Sequence, residues 1–451
     1  MNKNVVIVGG GLAGLATAIY LARGGRPVSV FEKRRTLGGR AITQLRHGYR
    51  FNLGAHAFYR NGAGASVLRE LGIPIRGSIP KPRSIALANG EERRLPTGWW
   101  SLLATSLLSL TGKAQLGSAL WHIRRFGGTQ AGSMTVAEWL QAHLSDSGAR
   151  RTLGALLRLV SYSDHPDTAA AAPVLAQMRV ALRGGVLYLD EGWQRIVDSL
   201  HSAAVSSGVN FISSSRIVGV DCQDDRVRAV RLGGLELDSD RMDTMSLAYP
   251  LPLPEHVNGA PLPADTVVLA VDPATAAELT GEAADWPAAR PVTAACLDVA
   301  LRALPNPKKT FALGIDEPLY FAVHSAWAQL APRGGVLIHT VKYRQQESAT
   351  DIELDGDRAL RRDTGSAADE QALEGLLDRM QPGWRDVLVH RRFLPSMTVS
   401  NALVTPTAPR PGVATKVGGL YIAGDWVGEE GLLSDAALSS ARAAAKAILS
   451  T

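Results

Sequence analysis

The sequence predicts an α/β fold in which a parallel, Rossmann-type nucleotide-binding unit is interrupted by an inserted, mixed α+β block. Three observations carry this. The first forty residues alternate strand, glycine turn, helix and strand. The middle of the chain is helical first and strand-rich afterwards. The last thirty residues return to a short apolar strand followed by a helix.

Val5–Val8 is an apolar, β-branched run, which suits a strand buried on both faces. Gly9, Gly11 and Gly14 follow as G-x-G-x-x-G. The first glycine permits the tight turn, the second lets backbone approach a pyrophosphate, and the third lets a helix pack on the strand. Leu12–Arg23 has apolar residues at helical spacing, and its N-terminus offers free N–H groups and a positive dipole end to phosphates. Pro27–Phe31 is the second strand. It ends at Glu32, about 20 residues after Gly11, where a carboxylate meets ribose hydroxyls.

At 451 residues the chain has room for two or three domain-sized units. The net charge of +6 is modest, and no dense basic run is interleaved with aromatics, so no nucleic-acid partner is expected. Weak attraction to an anionic membrane surface is compatible with that charge. Cys222 and Cys296 form no C-x-x-C, which argues against a disulfide framework and a cysteine zinc site, and no metal is expected. The glycines of the first turn make a cleaved signal peptide an unsuitable reading, and no run of eighteen apolar residues exists to span a bilayer. The expected location is cytoplasmic, with peripheral membrane contact left open.

Two further stretches narrow the cofactor. Leu37-Gly38-Gly39-Arg40 stands just behind Glu32, and Gly419-Leu420-Tyr421-Ile422-Ala423-Gly424-Asp425-Trp426 precedes a helix starting at Ser434. Together these resemble the two signatures of the FAD-dependent amine oxidase and phytoene desaturase superfamily, in its phytoene desaturase-like and protoporphyrinogen oxidase-like branch. The resemblance implies a Rossmann-type (GR2-like) FAD-binding domain with an inserted substrate domain. It places Gly9, Gly11, Leu12, Ala13, Gly14, Glu32, Lys33, Gly38, Gly39 and Arg40 around the adenosine and phosphates. It places Gly54, Ala55 and His56 beside the flavin, and Ile217 at the adenine through its backbone. Gly424, Asp425, Leu433, Ser434 and Ala437 come from the second signature. There the helix N-terminus meets the flavin N1 and C2 carbonyl, where reduced flavin is negative. With no cysteine near that signature or His56, the FAD is expected to be non-covalent.

The same resemblance divides the chain into a discontinuous FAD domain, residues 1–75, 185–285 and 395–451, and a substrate domain, 76–184 and 286–394. In order, the expected elements are a helix over 64–71, a hairpin turning at Asn89-Gly90, and helices over 113–126, 135–143, 147–159 and 169–182. Thr135 and Glu138 form a capping-box pattern. A helix follows the segment 187–194. Strands are expected over 208–212, 216–220, 227–232, 265–273, 292–301, 311–321, 335–343 and 387–393, and a helix over 369–380. The apolar stretch 95–110 reads as a helix roofing a cavity or filling the core. A monotopic membrane contact or lipid entry port with Trp99 and Trp100 at the interface is the alternative.

Amine oxidases of this superfamily carry a lysine on the strand near 297–299, where Asp298 stands here. They also carry aromatics where Gly431-Leu432-Leu433 stands. The expected activity is therefore hydride transfer between a small hydrophobic substrate and FAD, in the manner of a desaturase or dehydrogenase, with oxygen or a quinone as acceptor. The alternatives are a flavin amine oxidase, or a non-redox carotenoid-type isomerase using FAD. If a proton moves, the candidates are His56, Tyr59 and His324, each of which also has a plain structural reading as a hydrogen-bonded interior residue.

Overall fold

The computed structural model describes residues 4–54, 57–233, 261–281, 284–345 and 364–451. Four separated stretches of chain build the first sheet. Its strands run in the order Asn210–Ile212, Val28–Phe31, Val5–Val8, Thr266–Leu269 and Leu420–Ile422, and every neighbouring pair is parallel. Val5–Val8 and Thr266–Leu269 are buried at every position, as an all-apolar run between helices requires. Helices Leu12–Arg23, Gln194–Ser206 and Leu433–Leu449 share one core with this sheet. That core meets the helix Ala63–Glu70 through Ala65, Val67 and Leu68.

A seven-stranded sheet forms the second layer. Its order is Leu388–Ser400, Val292–Leu301, Val336–Tyr343, Leu319–Val323, Phe311–Gly314, Ser84–Ala88 and Glu91–Arg94. Side chains alternate between its faces. Ala295, Leu297, Val299, Phe321 and Ile338 pack on the helix Thr364–Met380 through Leu373, Leu376 and Leu377. Ala294, Cys296, Tyr320, Ala322, Val341 and Tyr343 face the other way, into a core shared with the helices Leu110–Phe126, Val136–His143, Ser147–Ser161 and Ala171–Gly184. Tyr59 and Leu433 belong to that same core. The inner face of the sheet therefore looks towards the ends of the nucleotide-binding segments.

Local chemistry explains the helix starts. Thr135 Oγ1 accepts from Glu138 N while the Glu138 carboxylate accepts from Thr135 N, completing the capping box. Ser109 caps Leu110–Phe126, and Asp146 caps Ser147–Ser161. The Ser84–Arg94 hairpin turns through Asn89 and Gly90, both at positive φ, which is what a two-residue turn between twisted strands needs.

Several expectations are corrected. The stretch 95–110 is not one buried helix: a short helix, Trp99–Ala104, breaks before Leu110. Trp100 is 86% exposed, Trp99 69% and Leu110 84%, so the tryptophans stay outside the core, to which this stretch contributes only Leu95, Leu102 and Leu108. Residues 311–321 are two strands, because Asp316-Glu317-Pro318 turns the chain into an antiparallel pair. Segment 187–194 begins as the strand Val186–Leu189 before its helix. The last strand of the second sheet continues to Ser400. The helix expected over 369–380 begins earlier, at Thr364, in a stretch read as loop. Ala55 and His56 lie outside the described residues, as does most of the irregular excursion after residue 233. Among the described residues, no helix is long and apolar enough to cross a membrane.

Candidate functional site

The glycine turn is built from backbone. Gly9 has φ +105°, and a Cβ there would lie 2.5 Å from the Ala270 carbonyl oxygen. A Cβ on Gly14 would lie 1.9 Å from Gly9 O, so the helix sits as close to the strand as a glycine allows. Gly11 differs. A Cβ there would meet nothing within 4 Å, and the helix behind it has no side-chain cap. The turn thus presents uncapped N–H groups to open space, which is the arrangement a pyrophosphate needs. Gly38 bridges to Gly11 and donates to Gly10 O at 2.8 Å. Gly38 and Gly39 both have positive φ, so the second glycine pair lays another stretch of bare backbone on the first. The donor set fits an FAD phosphate. Leu12 and Ala13 open the helix, with Ala13 buried.

Glu32 ends its strand inside the cradle, with its carboxylate accepting from Gly10 N at 2.8 Å and Arg34 N at 2.9 Å. Lys33 beside it is exposed. Ile217 is buried and starts a strand whose pairing with Leu232 shifts register before Gly219, which leaves irregular backbone at that point. Gly54 is buried, and a Cβ there would lie 2.9 Å from Arg40 O.

The two ends of the chain meet at Arg40. Its guanidinium pairs with Asp425 at 2.8 Å and donates to Val399 O at 2.9 Å. Asp425 is buried and also accepts from Asn401 N and Asn401 Nδ2, at 3.0 and 2.9 Å. Gly424 N donates to Ser440 Oγ at 3.0 Å, which ties the end of the strand to the last helix. Leu433 is buried with φ +57°, an uncommon conformation for leucine, while Ser434 and Ala437 are half-buried beside it.

On the inner face of the second sheet, strand register assembles a buried polar row. Arg392, Asp298 and His339 are direct cross-strand partners. His339 Nδ1 lies 2.5 Å from Asp298 Oδ1, and Arg392 Nη2 donates to Asp298 Oδ2 at 2.5 Å and to Asn52 O at 2.5 Å. Burial raises the Asp298 carboxyl's pKa, but Arg392 and His339 outweigh it and hold the group well below the usual carboxylate range. Cys296 Sγ is 3.2 Å from the same His339 Nδ1, and burial pushes its thiol well up. Cys296, Asp298 and His339 have the donor types of a metal site and lie within 4.8 Å of one another. Asp298 is already paired with a guanidinium, however, and both partners converge on one imidazole nitrogen, which is the pattern of a hydrogen-bonded cluster.

His324 sits in a tight turn after Leu319–Val323, fully buried, with Nε2 3.2 Å from the Tyr320 hydroxyl. Tyr320 in turn meets the Tyr188 hydroxyl at 3.0 Å. Burial, then His339, pushes the His324 pKa well below its ordinary value, so the ring is neutral. Tyr59 is buried in the helical core, where its hydroxyl donates to Val160 O at 2.7 Å and burial pushes its pKa well up. His324 and Tyr59 have separate hydrogen-bond partners, and His56 is outside the described residues. Reasoning from sequence missed His339, Arg392 and Asn401. The available signal was a charged residue or histidine inside otherwise apolar strands, VTAACLDVAL and VLIHTVKY.

A family model described as flavin containing amine oxidoreductase matches residues 12–449. The chain belongs to the flavin-containing amine oxidoreductase family. The family's description names a flavin, and the chain carries an α/β, Rossmann-type cofactor domain with a further domain. It is 23% identical over 282 residues to 4,4'-diapolycopen-4-al dehydrogenase of Metabacillus indicus, covering 52% of this chain and 54% of that one. It is 32% identical over 161 residues to coproporphyrinogen III oxidase of Propionibacterium freudenreichii subsp. freudenreichii, covering 33% of this chain and 30% of that one. The chain thus spans about half, or less, of the length of these relatives. An oxidoreductase structure from Methanosarcina mazei superposes with a TM-score of 0.73 at 16% identity, over 99% of this chain and 100% of that one. At that identity the likeness is one of fold.

Proposed function

We propose that the protein uses non-covalently bound FAD to move hydride between carbon and flavin on a small hydrophobic substrate, as a desaturase or dehydrogenase. In this reading residues 1–75, 185–285 and 395–451 form the FAD-binding domain, and 76–184 and 286–394 the substrate domain. FAD supplies the hydride acceptor chemistry. The chain's own part is to bind and orient. Gly11, Gly38 and Gly39 offer backbone to the phosphates, Glu32 the ribose carboxylate, and Arg40 with Asp425 a cation–anion pair between the two signatures. The apolar inner core between helices and sheet excludes water.

The observation that carries the hydrophobic substrate is the exposed aromatic platform on the helical block. Trp99, Leu102, Leu103, Leu110 and Trp121 line an apolar groove of about 440 Å³, with Lys113 at its edge. Exposed Arg93, Arg94, Arg124 and Arg125 belong to the neighbouring strand and helix. Tryptophans next to cations suit a membrane–water interface, so the platform is read as a peripheral membrane contact through which an apolar substrate arrives. The acceptor is oxygen or a quinone.

The test is anaerobic addition of a polyene aldehyde, a porphyrinogen or a panel of primary and secondary amines to the FAD-loaded protein. Lasting bleaching of the flavin band by an apolar substrate supports the reading. The family's own description favours amine oxidation as a second reading. Bleaching by amines alone, with hydrogen peroxide released in air, would replace the first reading with the second. A changed product geometry without bleaching would instead indicate isomerisation.

A further inference from the structure

Asp435 stands between Ser434 and Ala437 in the first turn of the last helix, and it is 1% exposed. Its carboxylate crosses to a second helix start: Oδ1 accepts from Gly64 N at 2.8 Å, at the beginning of Ala63–Glu70. A Cβ on Gly62 would lie 2.1 Å from Oδ2, so glycine is needed there to admit the carboxylate. Gln177, from the helix Ala171–Gly184, donates to Oδ2 at 3.3 Å and accepts from Leu432 N at 3.2 Å. These partners are a backbone N–H and an amide, not a cation. The titratable groups facing the carboxylate are Tyr59, from the strand Ala57–Tyr59, and Glu430, from the loop before the helix. Neither compensates a negative charge.

A buried, uncompensated carboxylate is costly. A neutral asparagine would make the Gly64 bond equally well, so what the aspartate adds at this place is its charge. The helix end it occupies is the one assigned to the flavin through Leu433, Ser434 and Ala437. A helix N-terminus favours negative charge on a bound group, and a carboxylate in the same desolvated turn opposes it.

We propose that Asp435 is a potential-setting residue for the flavin, one that makes reduction harder when ionised and couples it to pH. The inference rests on FAD binding as proposed above. Reduction delivers two electrons and one proton to FAD, leaving a negative hydroquinone. Asp435 then takes up a further proton from solvent, because the new charge raises its proton affinity. Burial already pushes the Asp435 carboxyl up to about 6, against the Gly64 and Gln177 hydrogen bonds that lower it.

The test uses holoprotein and dithionite with redox dyes, across about pH 5 to 9. Wild type and Asp435→Asn should have matching midpoint potentials at the acid end, where the aspartate is neutral. They should separate above about pH 6, with the wild type more negative. Reduced FAD should bind the variant about tenfold more tightly than the wild type at alkaline pH. Potentials that superimpose, or stay parallel at every pH, overturn the proposal. A changed melting temperature with unchanged potentials would leave Asp435 as a helix cap only and also overturn it. Gln177→Leu removes a bond that favours the ionised form, so it should move the separation to higher pH. Should Asp435→Asn not fold, an unmoved break in the Gln177→Leu curve is the overturning result. Loss of FAD from the wild type itself would refute the cofactor reading rather than this inference.

Discussion

The nucleotide cradle and the inner face of the second sheet are built on opposite plans. The cradle is made of backbone from short, contiguous runs: Gly9 to Gly14 and Gly38 to Arg40. The sheet face is made of side chains from distant strands, Arg392, Asp298 and His339, brought into one row by register alone. The difference decides which substitutions each region tolerates. A cradle fails when atoms are added, and a buried polar row fails when one partner is removed.

The largest expected effect breaks the cradle. Gly14→Val puts atoms where Gly9 O stands and should destabilise the apo-protein by about 3 kcal/mol or more, read by urea denaturation. Gly11→Ala is its control. Its Cβ enters open space, so apo stability should stay within about 0.5 kcal/mol. FAD affinity should nevertheless fall about 100-fold in a flavin-fluorescence titration. Equal FAD binding by this variant would show that the open space is not the phosphate site.

Removing one partner tests the other plan. Arg392→Met leaves Asp298 buried beside His339 without its guanidinium, at a cost of about 3–5 kcal/mol. The pH dependence follows from the sign. Asp298 has a folded-state pKa depressed below its unfolded value, so its contribution is complete above about pH 4 and is lost as pH falls towards the folded value. Asp298→Asn should flatten the acid limb of the stability curve. An unchanged acid limb would mean that the row is not what acid dissolves.

Asp435 gives a smaller effect of opposite sign. Its folded-state value, about 6, lies above the ordinary carboxylate range, so ionisation opposes folding. The cost is complete above pH 6 and fades as pH falls towards 4. Asp435→Asn should therefore raise apo-protein stability by about 2 kcal/mol at pH 8, with the gain vanishing near pH 4, by denaturation at each pH. The smallest stability effect belongs to the platform. The double variant Trp99→Ser, Trp100→Ser should change stability by less than about 0.5 kcal/mol, since both rings are exposed. It should lose most binding to anionic phosphatidylglycerol vesicles in co-sedimentation. Retained binding would remove the membrane contact from the functional reading.

The same contrast governs how much could be read without coordinates. The parallel sheet, its glycine turn and the closing strand and helix were legible, because each is local and each glycine answers to a single steric demand. Asp298 was noticed only as a residue standing where a lysine was expected. Its partners were not legible, because cross-strand neighbours depend on register between segments more than forty residues apart. Trp99 and Trp100 misled for another reason. An apolar composition in a helix implies burial, and which face is left bare is decided by the neighbouring helix Leu110–Phe126, not by the stretch itself.

The ion pair between Arg40 and Asp425 has a consequence for the order of folding. At about 5–20 residues per second, the ribosome releases Leu420–Ile422 roughly 8–30 s after Thr266–Leu269. During that interval Thr266–Leu269 has a strand on one side and an unfilled edge on the other, because its second neighbour is Leu420–Ile422. Such an edge is open to pairing with another chain. Only when Leu420–Ile422 fills that edge is Asp425 in place to pair with Arg40.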